Sequence, residues 1–173
     1  NVGANHLLQS EFCARLAQIL SRHPHTKPSS LELEVLETAA IGDMQQAITI
    51  MQCCRELGVS FSLDDFGTGY SSLTYLRKLP ADTLKIDQSF VRDMLTDPDD
   101  LSIVQGVVQL AGAFHRRVIA EGVETLEHCD VLLQMGCHHV QGYGIARPMP
   151  AQEIPVWCDQ WLRSGGLQQR ELT

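Results

Sequence analysis

The sequence predicts an α/β fold, a TIM-like (β/α) barrel of parallel strands, and three observations predict it. Short β-rich runs alternate with helical stretches along the chain, the pattern of α/β domains. Charged and amide side chains interrupt the apolar strands near their C-terminal ends, where a parallel barrel gathers residues that lie far apart in sequence. The 173 residues hold about five clear strands plus whatever Asn1 begins, whereas a complete barrel takes ~250 residues. The barrel read from this chain is therefore N-terminally incomplete.

Each element has its own signal. A first helix over 10–22 places Phe12, Leu16, Ile19 and Leu20 on one face, and Pro24 stops it. The strand LELEVL follows at 31–36. A helix over 43–57 carries Met44, Ala47, Ile48 and Met51 on one stripe, with Gly58 past its end. VSFSLDDF is the second strand, SSLTYLRKL a short helix closed by Pro80, and TLKID the third strand. Asp97 and Pro98 make a good helix start ahead of Leu101, Val104, Val107, Val108, Ala111 and Phe114. RVIAEGV is the fourth strand, Thr125 caps a helix over 126–135 ended by Gly136, and HHVQGYG is the fifth strand. A last helix over 151–162 shows Ile154, Val156, Trp157 and Trp161, with Pro155 blurring its start.

A length of 173 residues with 44% hydrophobic side chains suffices for one buried core and not for two ordinary domains. One domain over 1–163 and a C-terminal tail over 164–173 follow. With 13 basic against 21 acidic residues the net charge is −8, which excludes general attraction to a nucleic-acid backbone, so no DNA partner is expected. A phosphate substrate would need bound cations. The six cysteines show no C-x-x-C pair or zinc spacing and read as reduced, mostly buried small residues. No apolar run approaches the ~20 residues of a membrane span and no signal peptide opens the chain. A cytoplasmic setting follows, with any membrane tether lying outside these residues.

The polar residues at the strand ends carry the functional reading, and each has a plainer alternative. Glu34 and Glu37 lie late in or just past the first strand; Glu34 alternates with Glu32 and could face solvent, and Glu37 could be an ordinary loop acid. Asp64 and Asp65 end the second strand. Adjacent strand residues point to opposite faces, so both reach one mouth only if the chain bends there, and Gly67 and Gly69 supply that bend. Lys85, between Leu84 and Ile86, reads as an inward lysine needing an anionic partner or as an edge-strand guard against pairing. Asp87 reads as a cap. Glu121 and Glu124 close the fourth strand, and Gln141 is a mouth residue or a satisfied core amide. The seven histidines show no metal spacing, and the methionines fit helix core faces.

Carboxylates converging with one lysine need cations to be stable together. Such oxygen ligands suit Mg²⁺ or Mn²⁺ rather than zinc. Two ions about 3.5–4 Å apart would hold a phosphodiester, acidify a bridging water and stabilise the leaving oxygen. Phosphodiester hydrolysis is the chemistry this set suits.

The ordered runs DDFGTGYSSL, LKIDQSFV, AEGVET and QGYGIARPMP resemble those of the EAL family of cyclic di-GMP phosphodiesterases. NVGA resembles that family's N-V-S-A segment, with glycine for serine, and LELEVLET resembles its L-E-I-T-E-S segment. The resemblance covers the chain to about Trp161. It implies metal ligation by Asn1, Glu34, Asp64 and Asp65, with Glu121 near a second ion and the attacking water and Lys85 close to that water or the phosphate. Either Glu121 or Lys85 would handle the water's proton. Gln141 would help order the site, and Glu37 would brace the glycine loop that in the family couples metal binding to dimer contacts. The implied reaction cleaves one phosphodiester of cyclic di-GMP to give linear pGpG; the implied partners are a second copy of the domain and an upstream sensory or GGDEF-like domain. The alternative is a catalytically inactive domain that binds cyclic di-GMP or dimerises. The family's Glu-Ala-Leu segment, with its metal-binding Glu and a nearby substrate-binding Arg, belongs before Asn1 and is not among these residues. The 173 residues by themselves are therefore expected to hydrolyse poorly.

Overall fold

The computed structural model describes residues 1–37, 43–68 and 73–164. Five strands form one parallel sheet in sequential order: β1 (Glu32–Leu36), β2 (Ser60–Phe66), β3 (Thr83–Ile86), β4 (Arg117–Ala120) and β5 (His139–Val140). Sequential parallel order with helical crossovers is the winding of a (β/α) barrel, whereas a doubly wound sheet reverses its order at a switch point. No pairing joins β1 to β5 among the described residues, so the sheet is an open arc of such a barrel. What Asn1 begins is a single bridge: Val2 pairs with Val35 in parallel and donates its N–H to the Glu34 carbonyl at 2.8 Å.

The helices are α1 (Ala4–Leu7), α2 (Phe12–Arg22), α3 (Met44–Glu56), α4 (Leu73–Lys78), α5 (Gln88–Asp93), α6 (Pro98–Ala113), α7 (Leu126–Gln134) and α8 (Ile154–Arg163). The caps follow the sequence chemistry. Asp97 accepts from Asp99 N–H at the start of α6, and Thr125 accepts from His128 N–H at the start of α7. Val104, Val107, Val108 and Ala111 bury the inner face of α6 as expected. Elsewhere the buried stripes are rotated. Ile19 of α2 is exposed, and α3 buries Ile50 and Cys54 beside Ala47 and Met51. Pro155 occupies the first turn of α8, where its missing N–H costs nothing, so the helix begins at Ile154 rather than at 151. The helices α1 and α5 had no sequence expectation, and both are too short for a periodic signal. The strands β4 and β5 stop before the glycine-containing segments assigned to them, because Gln141 to Gly144 turn to lie on the backbone of Val123 and Glu124. A Cβ on Gly142 would stand 2.2 Å from the Val123 carbonyl oxygen, so only glycine allows that approach.

The cysteines depart from expectation. Cys13 of α2 and Cys53 of α3 form a disulfide, because the two helices pack side by side and bring their Cα atoms to 6.2 Å. A pair separated by 40 residues leaves no short motif to read. Cys54, Cys129 and Cys137 are free and buried, as expected of small apolar residues. His128 is a satisfied core histidine, contacting Thr125 Oγ1 at 2.7 Å and the Arg92 carbonyl at 3.1 Å. Gly69 and the tail from 165 lie outside the described residues.

Candidate metal centre

The site is built where the strands end. Lys85 lies in β3, which is paired on both sides by β2 and β4, so it guards no edge. Its side chain points inward, and the residue is 4% exposed. Its ammonium meets three carboxylates: Asp64 Oδ1 at 2.9 Å, Glu121 Oε1 at 2.9 Å and Glu34 Oε1 at 3.1 Å. These come from β2, from the end of β4 and from β1, so four elements converge on one nitrogen.

The bend that lets neighbouring aspartates share the mouth begins earlier than the glycines. Leu63 pairs with Leu84 and Phe66 with Ile86, so β2 carries one residue more than β3 across that stretch. Asp65 sits in the left-handed region at φ 54°. A bulge of this kind re-aims side chains, turning Asp65 toward the face Asp64 already occupies. Gly67 continues the turn at φ 104°. Its N–H donates to Glu37 Oε2 at 3.0 Å, and Glu37 is buried.

Oxygen atoms of Asp64, Asp65 and Glu121 lie within 4.8 Å of one another. An all-oxygen, anionic donor set fits a hard divalent cation rather than zinc, so this cluster could hold a metal ion. Burial pushes Glu121 above the ordinary carboxylate range, and repulsion from Asp64 adds to it while Lys85 opposes both. Asp65 is also raised, by burial, then by the Asp64 charge and its hydrogen bond to Asp87. Asp87 behaves oppositely. Burial resists its charge, but the Ser89 hydroxyl and backbone N–H hold its pKa down. Burial likewise works against the charge on Lys85, yet its carboxylate partners together hold it above the usual lysine range.

Beside the cluster opens a cavity of about 350 Å³ lined by Asp65, Asp87, Glu121, Glu124, Gln141 and Tyr143, among others. The Gln141 backbone joins the two neighbouring strand ends, donating to Ala120 and accepting from Val123. Asn1 is exposed and adjoins Glu34 only through the Val2 backbone; no side-chain hydrogen bond of Asn1 is found among the described residues. Glu37 stands apart, on the loop. Asp87 is both the cap of α5 and a wall of the cavity, a double position that its place after a buried strand could have signalled. Tyr143, with Arg147 over its ring at 4.6 Å, was passed over within QGYGIARPMP.

A parallel (β/α) arc with an acidic, lysine-centred mouth defines an α/β-barrel protein whose site suits metal-assisted chemistry on an anionic substrate. The EAL domain family model matches residues 1–148. The chain belongs to the EAL domain family. It is 40% identical over 154 residues to the bifunctional diguanylate cyclase/cyclic di-GMP phosphodiesterase MucR of Pseudomonas aeruginosa, covering 89% of this chain and 22% of the relative. It is 49% identical over 120 residues to the cyclic di-GMP phosphodiesterase NbdA of the same species, covering 69% and 15%. The chain thus spans under a quarter of the length of these two relatives. Among solved structures, the PaMucR phosphodiesterase in complex with c-di-GMP superposes with a TM-score of 0.84 at 40% identity, covering 89% of this chain and 62% of that one. The EAL domain of Mycobacterium smegmatis DcpA gives 0.84 at 38% identity, covering 92% and 71%. No helix among the described residues is long and apolar enough to cross a membrane.

Proposed function

We propose that this domain hydrolyses cyclic di-GMP to linear pGpG with divalent cations, Mg²⁺ or Mn²⁺, at the lysine-centred acidic mouth. The observation that carries the reading is the meeting of Asp64, Asp65 and Glu121 oxygens within 4.8 Å beside the cavity, in a chain whose relatives are named cyclic di-GMP phosphodiesterases. Asp64, Asp65 and Glu121 would hold two ions, with Glu34 and Asn1 completing the set from β1 and its neighbouring segment. When bound, such ions acidify water and neutralise a phosphodiester.

The chain's own groups have separate tasks. Glu121, with its raised pKa, is placed to take the water's proton, and Lys85 to face the developing charge at phosphorus. The bulge at Asp65 fixes the angle between two ligands, while Glu37, through Gly67, holds the turn that follows. Glu124 and Gln141 shape the cavity wall. The domain boundary at 163, a second copy of the domain as partner and an upstream sensory or GGDEF-like domain belong to the same reading.

The test is to incubate the full-length protein with cyclic di-GMP in Mg²⁺, in Mn²⁺ and in excess chelator, and to weigh the products. Gain of one water and formation of pGpG only with metal supports hydrolysis. Tight binding of unchanged cyclic di-GMP in every condition supports the inactive binding domain instead.

A further inference from the structure

One ammonium answers three carboxylates in this site. Lys85 has three N–H donors, and the three acids at 2.9, 2.9 and 3.1 Å match that number. The nitrogen is buried, so water supplies little competing solvation, and its neighbours come from three different strands or strand ends. Two of the acids, Asp64 and Glu121, are also among the three whose oxygens cluster closely enough to share a cation. The lone pairs that bind Lys85 and those that would bind a metal therefore belong to the same carboxylates.

We propose that Lys85 is a resident counter-cation: it holds the acidic mouth together in the metal-free protein and lowers the affinity of that mouth for divalent ions by competing for Asp64, Glu121 and Glu34. The inference rests on the metal site proposed above and goes beyond it, because it concerns how the site survives without metal and how readily it fills. Without an internal cation, carboxylates this close would repel one another and the mouth would splay. With one, the empty site is a stable state, and a dication must draw the acids away from an ammonium already in contact with them. Partial neutralisation also leaves the cluster net anionic, so a divalent ion remains attracted. Lys85 is in this account a positioning residue as well as a candidate catalytic one.

The account separates from a purely catalytic lysine by measurements that need no turnover. Lys85→Met removes the charge and keeps the length of the stem. In the wild-type and variant full-length proteins, Mn²⁺ binding is followed by calorimetry, and thermal unfolding is recorded with and without Mn²⁺. The expected result is Mn²⁺ affinity higher by about tenfold or more in the variant, from removal of a positive charge beside the ligands. A lower melting temperature for the metal-free variant and a larger rise on adding Mn²⁺ complete the expectation. Weaker or unchanged Mn²⁺ binding by a folded variant would overturn the proposal, showing that Lys85 organises the ligands for metal rather than competing with it.

If the variant does not fold, the wild-type protein labelled with ¹⁵N-lysine answers the same question. The tied ammonium signal should move and saturate together with Mg²⁺ occupancy, and a signal unmoved at saturation would overturn the proposal. Absence of any divalent-ion binding by the wild type would remove the metal site itself, a failure distinguishable from that of the lysine's role.

Discussion

Glu37 accepts a hydrogen bond from the backbone N–H of Gly67 at 3.0 Å across 30 residues of sequence. The contact ties the end of β1 to the turn that follows the Asp64–Asp65 bulge, so an acid outside the metal-capable cluster controls the backbone beneath it. Glu37→Ala leaves that N–H without its acceptor, at a cost of about 1–3 kcal/mol. The expected outcome is a folded protein whose Mn²⁺ affinity drops by roughly tenfold, while Glu37→Gln, which keeps an acceptor, loses less. A wild-type Mn²⁺ titration from the alanine variant would reduce Glu37 to a buried structural acid.

The Cys13–Cys53 bond closes a stretch of 40 residues between α2 and α3. Restricting a loop of that length in the unfolded chain is worth about 4 kcal/mol in the chain-entropy model. Reductant, or the paired Cys13→Ser and Cys53→Ser changes, should therefore lower the denaturant midpoint, with an unchanged slope. An identical midpoint with and without reductant would mean that the two thiols are not joined in solution.

Metal uptake should weaken on acidification sooner than ordinary carboxylates would dictate. Ligands bind metal deprotonated, so protons and metal compete. Glu121 and Asp65 are both held above the usual carboxylate range of about 4, so protons win at a higher pH. The apparent dissociation constant for Mn²⁺, followed from pH 8 downward, should begin to rise before pH falls to about 5. A constant value down to about pH 4 would contradict the raised values.

Much of this architecture was readable because helix and strand chemistry here is local. Asp97–Pro98, Thr125 and the apolar stripe of α6 announce themselves within a few residues, and the acids at strand ends point to one mouth once the sheet is parallel. Lys85 was legible only as a choice between an inward and an edge lysine, since the position of β3 within the sheet is a tertiary fact. The same holds for Cys13 and Cys53, whose meeting depends on how α2 packs on α3. The turn that brings Asp65 beside Asp64 was assigned to the glycines; the bulge precedes them, and an aspartate in the left-handed region has no signature beyond its own tolerance of it. Asp87 was legible as a cap and missed as a wall, because one side chain serves both places.

The most direct test of the central claim is cyclic di-GMP turnover in Mn²⁺ by the full-length protein carrying Asp64→Asn, measured beside the wild type. Asp64 joins the two halves of the account, contacting Lys85 at 2.9 Å and belonging to the three-acid cluster. The substitution keeps the shape and removes the charge. The account predicts metal-dependent pGpG formation by the wild type, abolished by chelator, and a loss of at least about 10²-fold in rate in the variant with its fold retained. Hydrolysis by the variant at the wild-type rate, or by the wild type in excess chelator, would contradict it.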